Sequence, residues 1–265
     1  MIPLPLLLLG DIMKNNKKTI AIIFVSVLVV ATLVLLFMAA VNSGNAFALR
    51  IQGIMTQLYG GIFASLTLFT LTLVFSLPIG LLVCFARRSR FKIVALITKF
   101  YISVMRGTPL MLQLIVVYFA PYYLFKIPLS SNYRFYAAII GFSLNYAAYF
   151  AEIYRSGIEA VPKGQYEAAK VLGYSRQQTF MKIVFPQMVR HTLPPVTNEI
   201  ITLVKDTSLA YAIAYIEMFT LAKQVAAAQS SIMALFVAGA FYYIFNLLVA
   251  FVMGRIEKKM NYYSK

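Results

Sequence analysis

The sequence predicts an all-α polytopic membrane protein, and three observations carry that prediction. Hydrophobic residues make up 61% of the chain and charged residues only 12%, whereas soluble domains run at about 45–50% apolar and about 25% charged. So few ions cannot wet the surface of a soluble body of 265 residues, and the mean hydropathy of +0.80 agrees. Six stretches, near 19–41, 58–86, 94–120, 135–154, 190–215 and 232–254, each supply the ~20 largely apolar residues that a helix needs to cross a bilayer. Finally, the basic residues are distributed unevenly between the two sides that six crossings define.

The first stretch follows Lys14, Lys17 and Lys18, holds no ionised group and lacks a small-residue cleavage site, so it reads as a retained helix and not a signal peptide. The run at 2–9 is too short to span. Six crossings place the lysines at 14–18, the cluster Arg87, Arg88, Arg90, Lys92 and Lys99, the basic residues of 155–190 and the tail from Arg255 on one side. The other side keeps Arg50, Lys126, Arg134 and Lys223, with Arg106 and Lys205 inside spans. Lys and Arg accumulate on the cytoplasmic side, so both termini are expected inside. Removing one internal span would scatter the basic clusters to both sides. The net charge of +16 then has its counterpart in anionic lipid headgroups, and nucleic acid is not an expected partner. With no Trp, an aromatic belt has to come mainly from Tyr. One cysteine, Cys84, in an apolar run, reads as packing, and one histidine, His191, makes no metal site with it.

Several spans carry residues that interrupt or polarise a membrane helix. Gly60 and Gly61 open the second, Pro78 and Gly80 follow, and Ser65, Thr67, Thr70 and Thr72 lie between; Ser65 and Thr67 are expected either to pack helices or to line a solute passage. Arg106-Gly107-Thr108-Pro109 interrupts the third. Proline lacks an amide hydrogen and glycine permits unusual backbone angles, so a kink is expected, or a junction between an interfacial segment and the spanning helix. Arg106 either reaches the headgroups or acts in gating and in holding the adjoining loop. In the fourth span Asn145, Tyr149 and Glu152 share one helical face. Glu152 either pairs with Arg155 at i,i+3 or borders a cavity where it would favour a cationic group, with Asn145 offering both donor and acceptor. The fifth holds Lys205 and Asp206 close to Glu199, Thr202, Thr207 and Ser208. Adjacent residues point different ways on a helix, so Lys205 and Asp206 each need a partner elsewhere, and this span belongs at the centre of the bundle.

The long hydrophilic stretch at 154–191 predicts two short helices joined at a glycine. Pro162-Lys163-Gly164 forms a turn, good helix formers occupy 165–172, and Gly173 suits the left-handed exit of a helix. Helix formers resume at Arg176, and Pro186 is expected to close the second piece. Helices this short need a partner surface.

Glu167-Ala168-Ala169, Gly173, Ile183 and Phe185-Pro186 resemble the EAA signature of the membrane subunits of ATP-binding-cassette importers, with Phe185 where leucine is more usual. Gly61-Ile62-Phe63-Ala64-Ser65-Leu66-Thr67-Leu68, Arg106-Gly107-Thr108-Pro109-Leu110, the segment from Asn145-Tyr146 to Gly157-Ile158, and Lys205-Asp206-Thr207-Ser208-Leu209 resemble the polar amino-acid branch of that family. The resemblance runs over about 57–254, with 1–56 as an extra N-terminal segment carrying one more span and 255–265 as a cytoplasmic tail. It implies a type I importer fold (MetI-like) in the bacterial cytoplasmic membrane. It also implies a second copy or a paralogous permease subunit, a cytoplasmic ABC ATPase dimer and an extracytoplasmic amino-acid-binding protein. Glu167, Ala168, Ala169, Gly173 and Tyr174 would couple the chain to the ATPase. Ser65, Thr67, Asn145, Tyr149, Glu152, Arg155, Lys205 and Asp206 are the candidate path, and Arg106, Gly107 and Pro109 the helix break. No Gly-rich phosphate loop ending in Lys-Ser/Thr is present, so ATP and Mg2+ are expected in the partner, with no cofactor and no catalysis in this chain. The rival readings are an ion-coupled secondary transporter, which would commonly show repeated halves that this sequence lacks, and a non-transporting docking subunit.

Overall fold

The computed structural model describes residues 42–261. The expected span at 19–41, the run at 2–9 and Lys14, Lys17, Lys18 and Lys265 lie outside the described residues. Among the described residues every regular element is helical: α1 (Ala46–Arg87), α2 (Lys92–Gly107), α3 (Leu110–Phe125), α4 (Tyr133–Glu159), α5 (Lys163–Val171), α6 (Arg176–Thr179), a π-turn (Phe180–Val184), α7 (Phe185–Asp206), a 3-10 turn (Thr207–Ile213), α8 (Met218–Ala228) and α9 (Met233–Asn261). The chain divides into compact units Met1–Thr56 and Gln57–Lys265. In the first, the Asn45 side chain accepts from the Phe47 and Ala48 amides at 2.9 and 3.3 Å and so caps the start of α1.

Of the expected breaks, the one at 106–109 is present and those within 58–86 are not. Helix α1 runs without interruption for 42 residues, about 63 Å at 1.5 Å per residue, through Gly60, Gly61, Pro78 and Gly80. Two of these glycines admit a neighbour instead of bending the helix. A Cβ on Gly61 would lie 2.8 Å from the Met218 Cα, and one on Gly80 would lie 2.8 Å from the Phe150 Cβ. Close backbone approach at small residues is the usual cement between membrane helices, where lipid removes the hydrophobic incentive to associate. The stretch at 94–120 is two helices, α2 and α3, bent by 114°, with Thr108 and Pro109 extended between them. The stretch at 190–215 begins earlier, at Phe185, and its α-helix ends at Asp206, beyond which the chain tightens into a 3-10 turn that stops at Ala214 with φ 55°.

Pro186 also fails to close a helix. The Phe185 amide bonds to the Phe180 carbonyl, five residues back, and α7 follows directly with the proline in its first turn. A proline ring needs room and leaves one carbonyl without its donor. The wider π-turn before it supplies that room and lets helical structure pass from α6 into α7.

By length and apolar character α1 and α9 can each cross a membrane, and the bent pair α2–α3 is a third crossing if taken as one span. Helices α4 and α7 occupy the interior. Tyr146, Phe142 and Phe150 of α4 pack with Leu203 of α7, Leu114 of α3 and Leu68 of α1 in the main core. A smaller cluster joins Cys84 to Ile102, Ala151, Ile158, Val184 and Met188. Cys84 is fully buried there as a free thiol, the packing role its apolar setting suggests.

Candidate functional site

Two polar centres and one exposed helix emerge from this packing. The first is an open chamber of about 410 Å3 between α4 and α7, lined by Arg106, Tyr149, Glu152, Arg155, His191 and Glu199. A neighbouring recess of about 510 Å3 shares Arg106, Tyr149 and Glu152 and extends to Arg87 and Lys99. Arg155 donates to Glu152 Oε2 through Nη2 at 2.6 Å and Nε at 2.9 Å, and through Nη1 to Glu159 Oε2 at 2.6 Å. Glu159 in turn lies 3.6 Å from Arg88. These four residues form a chain of alternating charge from the chamber to the end of α1. The Arg106 guanidinium sits 5.3 Å from the centre of the Tyr149 ring, a cation–π contact. The walls therefore present both cationic and anionic groups to a polar solute. Glu152 pairs with Arg155 and also lines the chamber.

The helix break behind the chamber is held by amides. Asn145 Nδ2 donates to the Met105 carbonyl at 3.0 Å and to Gln113 Oε1 at 2.9 Å. Gln113 Nε2 donates to the Met105 and Thr108 carbonyls and to Thr108 Oγ1. Non-helical backbone at membrane depth requires such partners. Asn145 thus shares the face of Tyr149 and Glu152 but spends its amide hydrogens on the break beside Arg106, Gly107 and Pro109. Gln113 is not legible in advance, because an amide three residues inside an apolar helix has no spacing motif. Asp206 accepts a hydrogen bond from the Tyr146 hydroxyl at 2.8 Å, so it finds its partner on another helix, while Lys205 is exposed. Neither lines the chamber.

Ser65 belongs to the second polar centre. Glu217 is completely buried and caps the N-terminus of α8, accepting from the Phe219 amide at 2.8 Å, the Thr220 amide at 2.7 Å and the Thr220 hydroxyl at 2.8 Å. Tyr242 of α9 donates to it at 2.7 Å, and Ser65 of α1 at 3.5 Å. Ser65 also accepts from the Met218 amide at 3.1 Å, directly beside the Gly61 contact. Thr67 is exposed and takes no part. Sequence reading passes over Glu217, although a carboxylate three residues before Thr220 in an apolar setting is the mark of a helix cap.

The exposed element is α5. It ends in a Schellman motif: the Gly173 amide bonds to the Lys170 carbonyl at 3.1 Å and the Tyr174 amide to the Ala169 carbonyl at 3.0 Å, with Gly173 at φ +74°, which glycine alone adopts without strain. Ser175 and Gln178 then form a reciprocal capping box. Ala169 is buried, whereas Glu167, Ala168, Val171 and Leu172 face outward. Lys182 lies 5.5 Å over the Tyr174 ring. Among the described residues no three His, Cys, Asp or Glu side chains are placed to share a metal ion.

A chamber of mixed charge inside an apolar helical body fits a membrane transport protein. Residues 76–262 match the family described as binding-protein-dependent transport system inner membrane component, and the chain belongs to that family. It is 36% identical over 208 residues to the L-cystine transport system permease protein TcyB of Bacillus subtilis (78% of this chain, 87% of that one). It is 34% identical over 201 residues to the arginine transport system permease protein ArtQ of the same organism (76% and 90%). Among solved structures it resembles an amino acid ABC transporter crystallised with histidines, with a TM-score of 0.73 and 26% identity over 80% of this chain and 97% of that one. The fold is the MetI-like type I importer fold. Family members are membrane subunits that work, in general, with an ATPase and a substrate-binding protein.

Proposed function

We propose that this chain forms one half of the translocation path of an ATP-driven, binding-protein-dependent amino-acid importer, and that α5 is its docking lever for a cytoplasmic ATPase. The observation that carries the reading is connectivity. Helix α4, which brings Tyr149, Glu152 and Arg155 to the chamber, passes through three residues into α5. The opposite wall, with His191 and Glu199, belongs to α7, which continues from α6 and the π-turn. The docking segment is thus inserted between the two helices that form the walls, so a push on α5 becomes a change in their separation, a hinge or shear transition of ordinary kind. Val171 and Leu172, 88% and 69% exposed, supply the apolar contact such a lever needs, with Glu167 and Tyr174 on either flank.

The substrate class follows from the chamber and the relatives together. A free amino acid carries both an ammonium and a carboxylate, and Glu152 and Glu199 against Arg106 and Arg155 offer complements to both. The relatives named for cystine and arginine support the same class. In this reading the chain crosses the bacterial cytoplasmic membrane six times with both termini inside, pairs with a second copy or a paralogue, and leaves ATP and Mg2+ to an ATPase dimer. An extracytoplasmic binding protein delivers the amino acid. The test is to purify the chain with its partners, reconstitute them in liposomes and follow uptake across an amino-acid panel. Uptake requiring both ATP and binding protein is expected. Uptake driven by an ion gradient alone would transfer the chain to the secondary transporters, and an assembly that docks but moves nothing would make it a scaffold.

A further inference from the structure

Helix α2 has three distinct faces, and among the described residues its outer apolar face is left largely uncovered. Thr98, Ile102 and Met105 turn toward the body, with Thr98 and Ile102 buried. Ile93, Ile97, Phe100 and Val104, spaced i, i+4, i+7 and i+11, form a second face, joined by Phe91 and Leu96. Phe91, Ile93, Leu96, Ile97 and Phe100 are each between 64% and 75% exposed. The third face is a stripe at Lys92, Lys99, Ser103 and Arg106, spaced i, i+7, i+11 and i+14. A helix bent 114° away from its neighbour α3, with a bare apolar face next to a basic one, has the form of a helix lying in the plane of a membrane interface.

The basic stripe opens onto the 510 Å3 recess, where Lys99, Ser103 and Arg106 meet Arg87 from the end of α1. Arg87 Nε is buried and has no hydrogen-bond partner among the described residues. The carboxylate in this lining, Glu152, is paired with Arg155 at 2.6 Å, and Arg106 also faces Glu199 in the adjoining chamber, so Arg87 and Lys99 are the cations of the recess with no carboxylate of their own among the described residues. Arg88, next in sequence, is engaged with Glu159 and does not contribute.

We infer that Arg87, Lys99 and Arg106 form a binding site for the phosphate of an anionic phospholipid, whose acyl chains lie along Ile93, Ile97 and Phe100. The apolar face adjoining the cations selects a lipid over a free anion, since inorganic phosphate or a nucleotide gains nothing from it. Basic pockets beside membrane helices take headgroups in this way, with each Lys or Arg contributing ~1 kcal/mol near an anionic surface. With the proposed orientation this lipid belongs to the cytoplasmic leaflet, and only that assignment rests on the importer reading.

The test is native mass spectrometry of the full-length chain in its purified transporter, titrated with phosphatidylglycerol or phosphatidylcholine. The wild-type protein should retain phosphatidylglycerol at least tenfold more tightly. The double variant Arg87→Gln, Lys99→Gln should lower that affinity on the order of thirtyfold, from two lost cations. Removing the same charge from the exposed α5, with Lys163→Gln and Lys170→Gln, should leave it unchanged. Millimolar inorganic phosphate should not displace the lipid. Equal retention of the two lipids, an equal loss in the α5 control, or displacement by phosphate each overturns the site. If the double variant does not assemble, Lys99→Gln alone, with an expected loss of about fivefold, decides the same question. None of these readouts uses transport, so they stand or fall apart from the importer reading.

Discussion

Glu217 and Glu152 are both carboxylates within a helical membrane body, and they are kept there by opposite means. Glu217 is sealed and takes its stabilisation from fixed dipoles: two amides of its own helix, the Thr220 hydroxyl and the hydroxyls of Ser65 and Tyr242. Glu152 opens onto a chamber and takes its stabilisation from the Arg155 side chain. A charge solvated by backbone and hydroxyl dipoles is a fastener, because no solute can replace those donors. A carboxylate paired with one guanidinium at a chamber wall can be shared with an incoming ammonium, as the guanidinium can with an incoming carboxylate. The contrast separates residues that hold the path together from residues that meet what passes along it.

The comparison is broken most directly at Glu217. In Glu217→Ala the α8 amides and the Ser65 and Tyr242 hydroxyls lose their acceptor inside a dry interior. Each buried donor left without its acceptor costs about 1–3 kcal/mol. The solubilised transporter should unfold at a markedly lower temperature and accumulate poorly, with Glu217→Gln in between because its amide keeps one acceptor oxygen. A melting temperature within a degree of wild type for Glu217→Ala would show that the joint fastens nothing.

The docking lever should respond in transport and not in assembly. Gly173 has φ +74° and open space where a Cβ would sit, so Gly173→Val suffers no collision, only the cost of the left-handed backbone, about 1–2 kcal/mol for a residue with a Cβ. Relaxing that angle re-aims Tyr174 and the capping box after it. ATP-dependent uptake should be lost while the chain remains inserted and thermally intact. Gly164 also has open space but an ordinary backbone, and Gly164→Ala should transport normally. Equal activity in the two variants would detach the cap from coupling.

How much of this was legible in the sequence depended on whether a residue acts locally or through the fold. Gly173 was readable as a cap because a helix exit is decided within five residues. The break at Arg106 to Pro109 was readable for the same reason. The glycines of α1 misled: Gly61 and Gly80 looked like breaks, and the structure gives them Met218 and Phe150 as close neighbours, partners more than sixty residues away that periodicity cannot supply. Pro186 misled because the π-turn that accommodates it depends on widening the preceding backbone. Asn145 was placed on the right face, yet its partner Gln113 comes from a different helix. Glu217 is not legible from its capping relation to Thr220 alone, because the joint it closes depends on Ser65 of α1 and Tyr242 of α9, far away in sequence.

The smallest expected effect is also the one that bears on the path. Glu152 and Glu159 both bond Arg155 at 2.6 Å, but Glu152 lines the chamber and its side chain is 17% exposed, while Glu159 is 52% exposed toward Arg88. If the carboxylates served only to brace α4, neither Glu152→Gln, which removes the pair to Arg155, nor Glu159→Gln, which removes those to Arg155 and Arg88, would change KM, each exposed pair being worth ~0.2–1 kcal/mol of stability. If Glu152 meets the solute, Glu152→Gln should raise KM for a cationic amino acid about two- to fivefold and leave the melting temperature unchanged. Glu159→Gln should then leave KM alone, because Arg155 stays anchored at the chamber through Glu152. Uptake kinetics on the two variants side by side, with a cationic and a neutral amino acid, separate a brace from a binding group, since only a binding group makes the loss depend on the charge of the substrate.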